Sequence, residues 1–194
     1  MSSRPKISPE QLRRWYRLMS VRMTDIDCGR LCAPKNEGIP YCCDQDSVVP
    51  LLYRDEYRWH RGQDRFWKKM QVRTAEHRRL IKDTHPYNVF AECPGPGQCS
   101  RGKRALVCRM FPFEPYVDKE GNVLGLVYQD ERKDGCPLIG KPKSAYNPKY
   151  LANSIRFWQE VLDSLPHERE LYMGESRKRD RRAKRAGQRL RIIR

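Results

Sequence analysis

Eight cysteines set the terms on which this chain of 194 residues can fold. They fall into two groups: Cys28-x3-Cys32-x9-Cys42-Cys43 and, after a gap of 49 residues, Cys93-x5-Cys99-x8-Cys108 followed by Cys136. The surrounding segments are rich in turn formers. Gly29, Pro34, Gly38, Pro40 and Pro50 accompany the first group, and Pro94-Gly95-Pro96-Gly97 separates Cys93 from Cys99. Such segments read as loops, so their order has to come from the cysteines rather than from backbone ladders.

The rest of the chain makes that help more necessary. Hydrophobic residues are 38% of the sequence and charged residues 33%, against a usual share of roughly 45–50% and about 25%, so the core is small for the length. One domain with extensions is the expected organisation. Met1 to Pro9 is polar and no run of 18 apolar residues occurs, which argues against a secretory signal and a membrane span and predicts a cytoplasmic protein. In reducing cytosol, thiols serve metals or catalysis more often than disulfides.

Ser8-Pro9-Glu10 is helix-opening chemistry, and Leu12, Trp15, Tyr16 and Met19 form one apolar stripe, predicting an amphipathic helix over 9–22. Irregular apolar residues among charges over 51–82 predict one or two exposed helices broken near Gly62, and 83–104 reads as a loop. Leu106–Cys108, Phe113–Val117 and Val123–Tyr128 read as short strands, the last two joined by a turn at Asp118–Asn122. Asn147 caps a final helix from Pro148 to about Pro166, with Leu151, Ile155, Trp158, Leu162 and Leu165 on its buried face. The fold class is α+β. Its parts are an N-terminal helix (1–23), a cysteine-cluster unit (24–145), a C-terminal helix (146–172) and a basic tail (173–194).

Thiolates are soft anionic donors, and four around one point satisfy tetrahedral zinc or an iron–sulfur cubane. Eight could supply two such centres. No Cys-x2-Cys pair exists, which argues against zinc ribbons, knuckles and thioredoxin-type motifs. Cys28-x3-Cys32 is also no radical-SAM start, because position 35 is Lys35. Neighbouring Cys42 and Cys43 point to opposite sides of an extended chain, so either one of them is the ligand or the two serve different centres.

The order Cys, Cys, Cys-Cys, then Cys-x5-Cys, then Cys108-Arg109-Met110-Phe111-Pro112-Phe113 and a closing Cys136-Pro137 resembles the YkgJ-type cysteine-cluster family over roughly residues 24–140. That family is described as zinc- or iron-chelating and includes flagellin lysine N-methylases with an iron–sulfur cluster. The resemblance implies a metallocentre, a 4Fe-4S cluster or zinc, held by Cys28, Cys32, Cys42 or Cys43, Cys93, Cys99, Cys108 and Cys136, with Arg109 beside it. A guanidinium there would offset the negative charge of the thiolates. The spacing of the first group and the basic insert 51–90 depart from the family pattern.

Of the four histidines, His60 and His77 lie in arginine-rich stretches that read as solvated helix faces, while His85 is a candidate ligand or proton donor eight residues before Cys93. No nucleotide-binding glycine run or Ser/His/Asp pattern is present. The net charge of +16 is more than half a property of residues 177–194, which hold ten basic residues and one acid. That stretch reads either as a solvated extension or as a contact for nucleic acid, the ribosome or an acidic protein. Two functions follow: a cluster-dependent enzyme or redox protein on an unknown substrate, or a structural-zinc module that binds a partner through its tail.

Overall fold

The structure, a computed structural model, describes residues 6–44, 48–129 and 134–194. Its architecture is α+β, with seven α-helices and five strands among the described residues. Helix α1 (Pro9–Leu18) starts as its sequence predicts: Ser8 Oγ accepts from the Gln11 N–H at 3.1 Å, with Pro9 in the first turn. It ends at Leu18, short of 22, and turns follow before the first cysteine loop. Helix α6 (Pro148–Ser164) is capped by Asn147, whose Oδ1 accepts from the Lys149 N–H at 2.9 Å.

The main core lies between α1, α6 and a hairpin of β4 (Phe113–Val117) and β5 (Val123–Tyr128). Trp15 meets Phe157 edge-on at 5.6 Å, and Phe113 packs on Tyr128, Tyr146 and Tyr150. The hairpin pairs Phe113 with Tyr128 and Pro115 with Leu126. Its turn is closed by the Asp118 carboxylate, which accepts from the N–H groups of Glu120 and Asn122. Gly121 there has a φ of +92°, and a Cβ on it would lie 2.9 Å from the Arg169 side chain, so glycine is required on both counts.

Between the first cysteine group and the hairpin, the structure departs from the sequence reading. Residues 51–82 do contain two helices separated after Arg61, α3 (Arg54–Arg61) and α4 (Ala75–Asp83), but strands β1 (Leu51–Tyr53) and β2 (Lys68–Lys69) accompany them. The presumed loop 83–104 contains β3 (Asn88–Glu92), the middle strand of an antiparallel sheet ordered β1-β3-β2, with Leu51 opposite Phe90 and Lys68 opposite Glu92. Leu106-Val107-Cys108 is not a strand. It opens α5 (Leu106–Met110), whose first N–H donates to the buried Glu56 carboxylate at 2.8 Å; three apolar residues are too few to set a period, and a distant carboxylate fixes the helix. A second, smaller core of Leu52, Phe66, Trp67, Ala91 and Ala105 lies in this region.

The C-terminal region also differs. Helix α6 stops before Pro166 as the sequence predicts, but it is not the final helix: Pro166 opens α7 (Pro166–Arg185), because proline suits the first turn of a helix. The tail is no loose extension either. After Gly187, with a φ of +60°, the chain returns to the body, and Ile193 exchanges two backbone hydrogen bonds of 2.8 Å with Leu126 and is buried. Among the described residues, no helix is long and apolar enough to cross a membrane.

Candidate metal centre

Six separate segments bring the cysteines forward. Cys28 precedes and Cys32 ends the short helix α2 (Gly29–Cys32), and Cys42 and Cys43 lie in a 3-10 turn over Tyr41–Cys43. Cys93 follows β3, Cys99 follows a 3-10 turn at Pro96–Gln98, Cys108 is in α5, and Cys136 sits in a turn before Pro137. All eight line a single cavity of about 450 Å³. Trp67, Phe111, Val48, Pro50 and Leu138 supply apolar wall, so the sulfurs face a partly dried space rather than open solvent.

The cavity lies at the junction of the two cores. Cys28 and Cys136 pack with the main core, whereas Cys93, Cys99 and Cys108 pack against the small one. The electrostatics divide the same way. Burial pushes the Cys108 thiol up, and the neighbouring sulfurs of Cys43, Cys93 and Cys99 push it further. On the other side, burial also raises Cys28 and Cys136; Cys136 and Cys32 act on Cys28, and Cys32 acts on Cys136. The doublet stands between the groups, with Cys42 and Cys43 Sγ atoms 4.0 Å apart. The two share one hydrogen bond, which with burial raises Cys42, and Cys42 feels both Cys108 and Cys28. Cys43 thus groups with Cys93, Cys99 and Cys108, and Cys28 with Cys32 and Cys136, while Cys42 feels members of both sets.

Both sets have groups suited to anionic sulfur. The Tyr41 N–H lies 3.5 Å from Cys32 Sγ, and the N–H groups of Leu138 and Ile139 oppose the effect of burial on Cys136. Gly135 makes room for this: a Cβ there would come within 2.0–2.3 Å of the Tyr41 ring. Two arginines, Arg30 and Arg104, lie in the cavity wall; Arg104 contacts Cys99, acts on Cys43 and pairs with Asp27 at 3.5 Å.

Arg109 lies one layer behind. Its Nε donates to the Arg104 carbonyl at 2.9 Å, its Nη2 to those of Arg101 and Gly102 at 2.8 and 3.2 Å, and its guanidinium covers the Tyr16 ring at 4.5 Å. It lines an adjoining recess together with Cys28, Cys99 and Cys108. Its direct work is to fasten the loop that carries Arg104.

As a donor set, eight sulfurs on the walls of one cavity suit a thiolate-bound centre. Among the described residues, no three Cys, His, Asp or Glu side chains already converge as an ion site. Zinc needs four ligands at about 2.3 Å from one point, so it would have to draw the thiols inward.

His60, expected on a solvated face, is 3% exposed. Spaced i, i+4 with Glu56 on α3, it turns inward with it. Tyr16 Oη lies 2.6 Å from His60 Nε2 and 2.7 Å from Glu56 Oε1. With Glu56 ionised, the bonds run His60 N–H to Tyr16, and Tyr16 O–H to Glu56. Burial pushes Glu56 up and lowers His60 to about 4. The sequence signal for this trio was weak: Glu56, Trp59 and His60 share the face of a short helix otherwise read as exposed. His77 stays near the surface on α4, with its ring nitrogen facing the Arg73 N–H at 3.3 Å. His85 stacks on His167 with ring centroids 3.8 Å apart and is not part of the cavity wall.

Compared with protein-family models, curated proteins and solved structures, the chain returns no match in any of the three.

Proposed function

We propose that the protein is a cysteine-ligated metalloprotein that binds an iron–sulfur cluster of the 4Fe-4S type and acts as a cluster-dependent enzyme or redox protein. One observation carries this reading: eight cysteines from six segments line one cavity. The resemblance of its cysteine pattern to YkgJ-type proteins points the same way. Such a cluster, when bound, supplies a one-electron couple.

The chain's own groups would do the rest. Cys43, Cys93, Cys99 and Cys108 form one ligand set, with Arg104 offsetting its negative charge. Cys28, Cys32, Cys42 and Cys136 form another, with backbone N–H groups of Tyr41, Leu138 and Ile139 directed at sulfur. Trp67 and Phe111 keep water from the wall. Because burial raises Cys28, Cys99, Cys108 and Cys136, loading releases protons and is favoured as pH rises.

The test is anaerobic purification with iron, zinc and acid-labile sulfide analysis. Iron and sulfide in equal amounts, with broad visible absorbance, support the proposal. Zinc alone, without sulfide and without colour, refutes it and leaves a structural-zinc module. A protein that takes up neither refutes the metallocentre altogether.

A further inference from the structure

The strongest charge on the molecule is organised, although its sequence reads as a tail. On α7, Glu168, Tyr172, Ser176 and Arg179 form the stripe that faces the body. Three bonds hold it in place: Arg179 to Glu114 at 2.5 Å, the Ser176 hydroxyl accepting from the Val117 N–H at 2.9 Å, and Tyr116 donating to Asp180 at 2.8 Å. The returning segment is pinned at Ile193. At 100° per residue, Arg177, Lys178, Arg181, Lys184 and Arg185 therefore point away from the body, and all five are exposed. They span about 12 Å of helix.

Helix stability does not account for this row. Arg177 with Arg181, Arg181 with Arg185 and Lys178 with Arg182 are like charges four residues apart, an arrangement that destabilises a helix. The C-terminal dipole favours cations only in the last turn. Among the described residues, only Lys178 of the five makes an ion pair, with Glu175 at 2.6 Å. An external polyanion would relieve the repulsion.

We propose that the outer face of α7 binds the phosphate backbone of duplex nucleic acid, without regard to sequence. Two features select this partner. From Arg177 to Arg189 the exposed surface offers no aromatic or large apolar side chain, whereas protein interfaces are anchored by such groups. The same lack removes the stacking platforms that unpaired strands use. A row of guanidinium and ammonium groups on a rigid rod is instead matched to phosphates.

The test is fluorescence anisotropy of the full-length protein with a labelled 20-base-pair duplex of mixed sequence, titrated between 50 and 200 mM salt. Five phosphate contacts give a slope of log K against log salt of about −4.5. The variant R177Q/R181Q/R185Q makes it shallower by about 2.7 and weakens binding at least tenfold at low salt, with unchanged helix content by circular dichroism. The proposal is overturned by an absence of saturable binding at 50 mM salt, or by an unchanged slope in the folded variant. Preference for a single strand of equal length would also overturn it, as would displacement of the duplex by polyglutamate at equal charge concentration. If the variant does not fold, R181Q alone is expected to reduce the slope by about 0.9, and no change there overturns the proposal. Metal content plays no part in the readout, so this test and that of the metallocentre fail independently.

Discussion

His60→Gln is expected to make the protein less sensitive to acid. His60 is 3% exposed, its Nε2 is 2.6 Å from Tyr16 Oη, and burial with the nearby Arg109 cation brings its titration down to about 4; Asp64 acts in the opposite direction and is overcome. An unfolded histidine titrates at about 6.5. Between those values the unfolded chain takes up a proton that the folded chain refuses, so stability is complete above pH 6.5 and drains away as pH falls toward 4. At about 1.4 kcal/mol per pH unit, the loss assigned to this one group reaches up to about 3 kcal/mol. Glutamine keeps an amide that can donate to Tyr16 and cannot titrate. Urea unfolding of both proteins at pH 7, 5.5 and 4.5 reads the effect as a difference. Carboxylate protonation and acid loss of any bound metal occur in both proteins and largely cancel. Wild type is expected to lose about 2.4 kcal/mol more than the variant over that range. Parallel curves would mean that His60 is either solvated or already charged in the fold, and the buried trio would have no basis.

Three further perturbations probe the site and its supports. Cys43→Ser should remove the same metal as Cys108→Ser, while Cys42→Ser should behave like Cys136→Ser; metal and sulfide per chain that fall equally in all four variants would dissolve the two-set partition. Gly135→Ala forces a methyl into the Tyr41 ring, with an expected loss of about 1–3 kcal/mol and faster metal release to a chelator, so a thermal midpoint equal to wild type would show that the ring does not sit there. Ile193→Ala empties a buried position at the edge of β5, with an expected cost of about 2 kcal/mol or more; amide exchange at Leu126 should accelerate, and unaltered protection would mean that the segment is not anchored.

What could be read from the sequence was local. Ser8 and Asn147 announce α1 and α6 within one turn of the chain, and Asp118–Asn122 announces the hairpin by its turn chemistry. Strand β3 escaped because its partners lie 35–39 residues upstream at Leu51–Tyr53 and 22–24 upstream at Lys68–Lys69, with too few residues in each to show a period. Helix α5 escaped because Glu56, 50 residues away, anchors its first N–H. The same distance hid His60, whose burial depends on Tyr16 from α1. Among the cations, Arg109 adjoins a cysteine in sequence, but the chain turns its guanidinium onto carbonyls and presents Arg104 to the cavity instead.

These long-range ties explain why the cysteines lie where they do. The small core has five buried residues, Leu52, Phe66, Trp67, Ala91 and Ala105, far fewer than an independent unit needs. The main core can hold α1, α6 and the hairpin without it. Between the two run Glu56, which reaches from α3 to α5 and to Tyr16 on α1, and the cavity walls, which draw sulfur from both sides. The doublet belongs to that junction, with Cys42 sensing both groups. Thiolate ligation at this boundary would therefore do more than fill a pocket. It would tie the small core to the large one through its own bonds, which answers the shortage of apolar residues evident in the composition. A chain with ample hydrophobic surface could order these loops by packing; one with 38% hydrophobic residues gains most from a centre placed where its two cores meet.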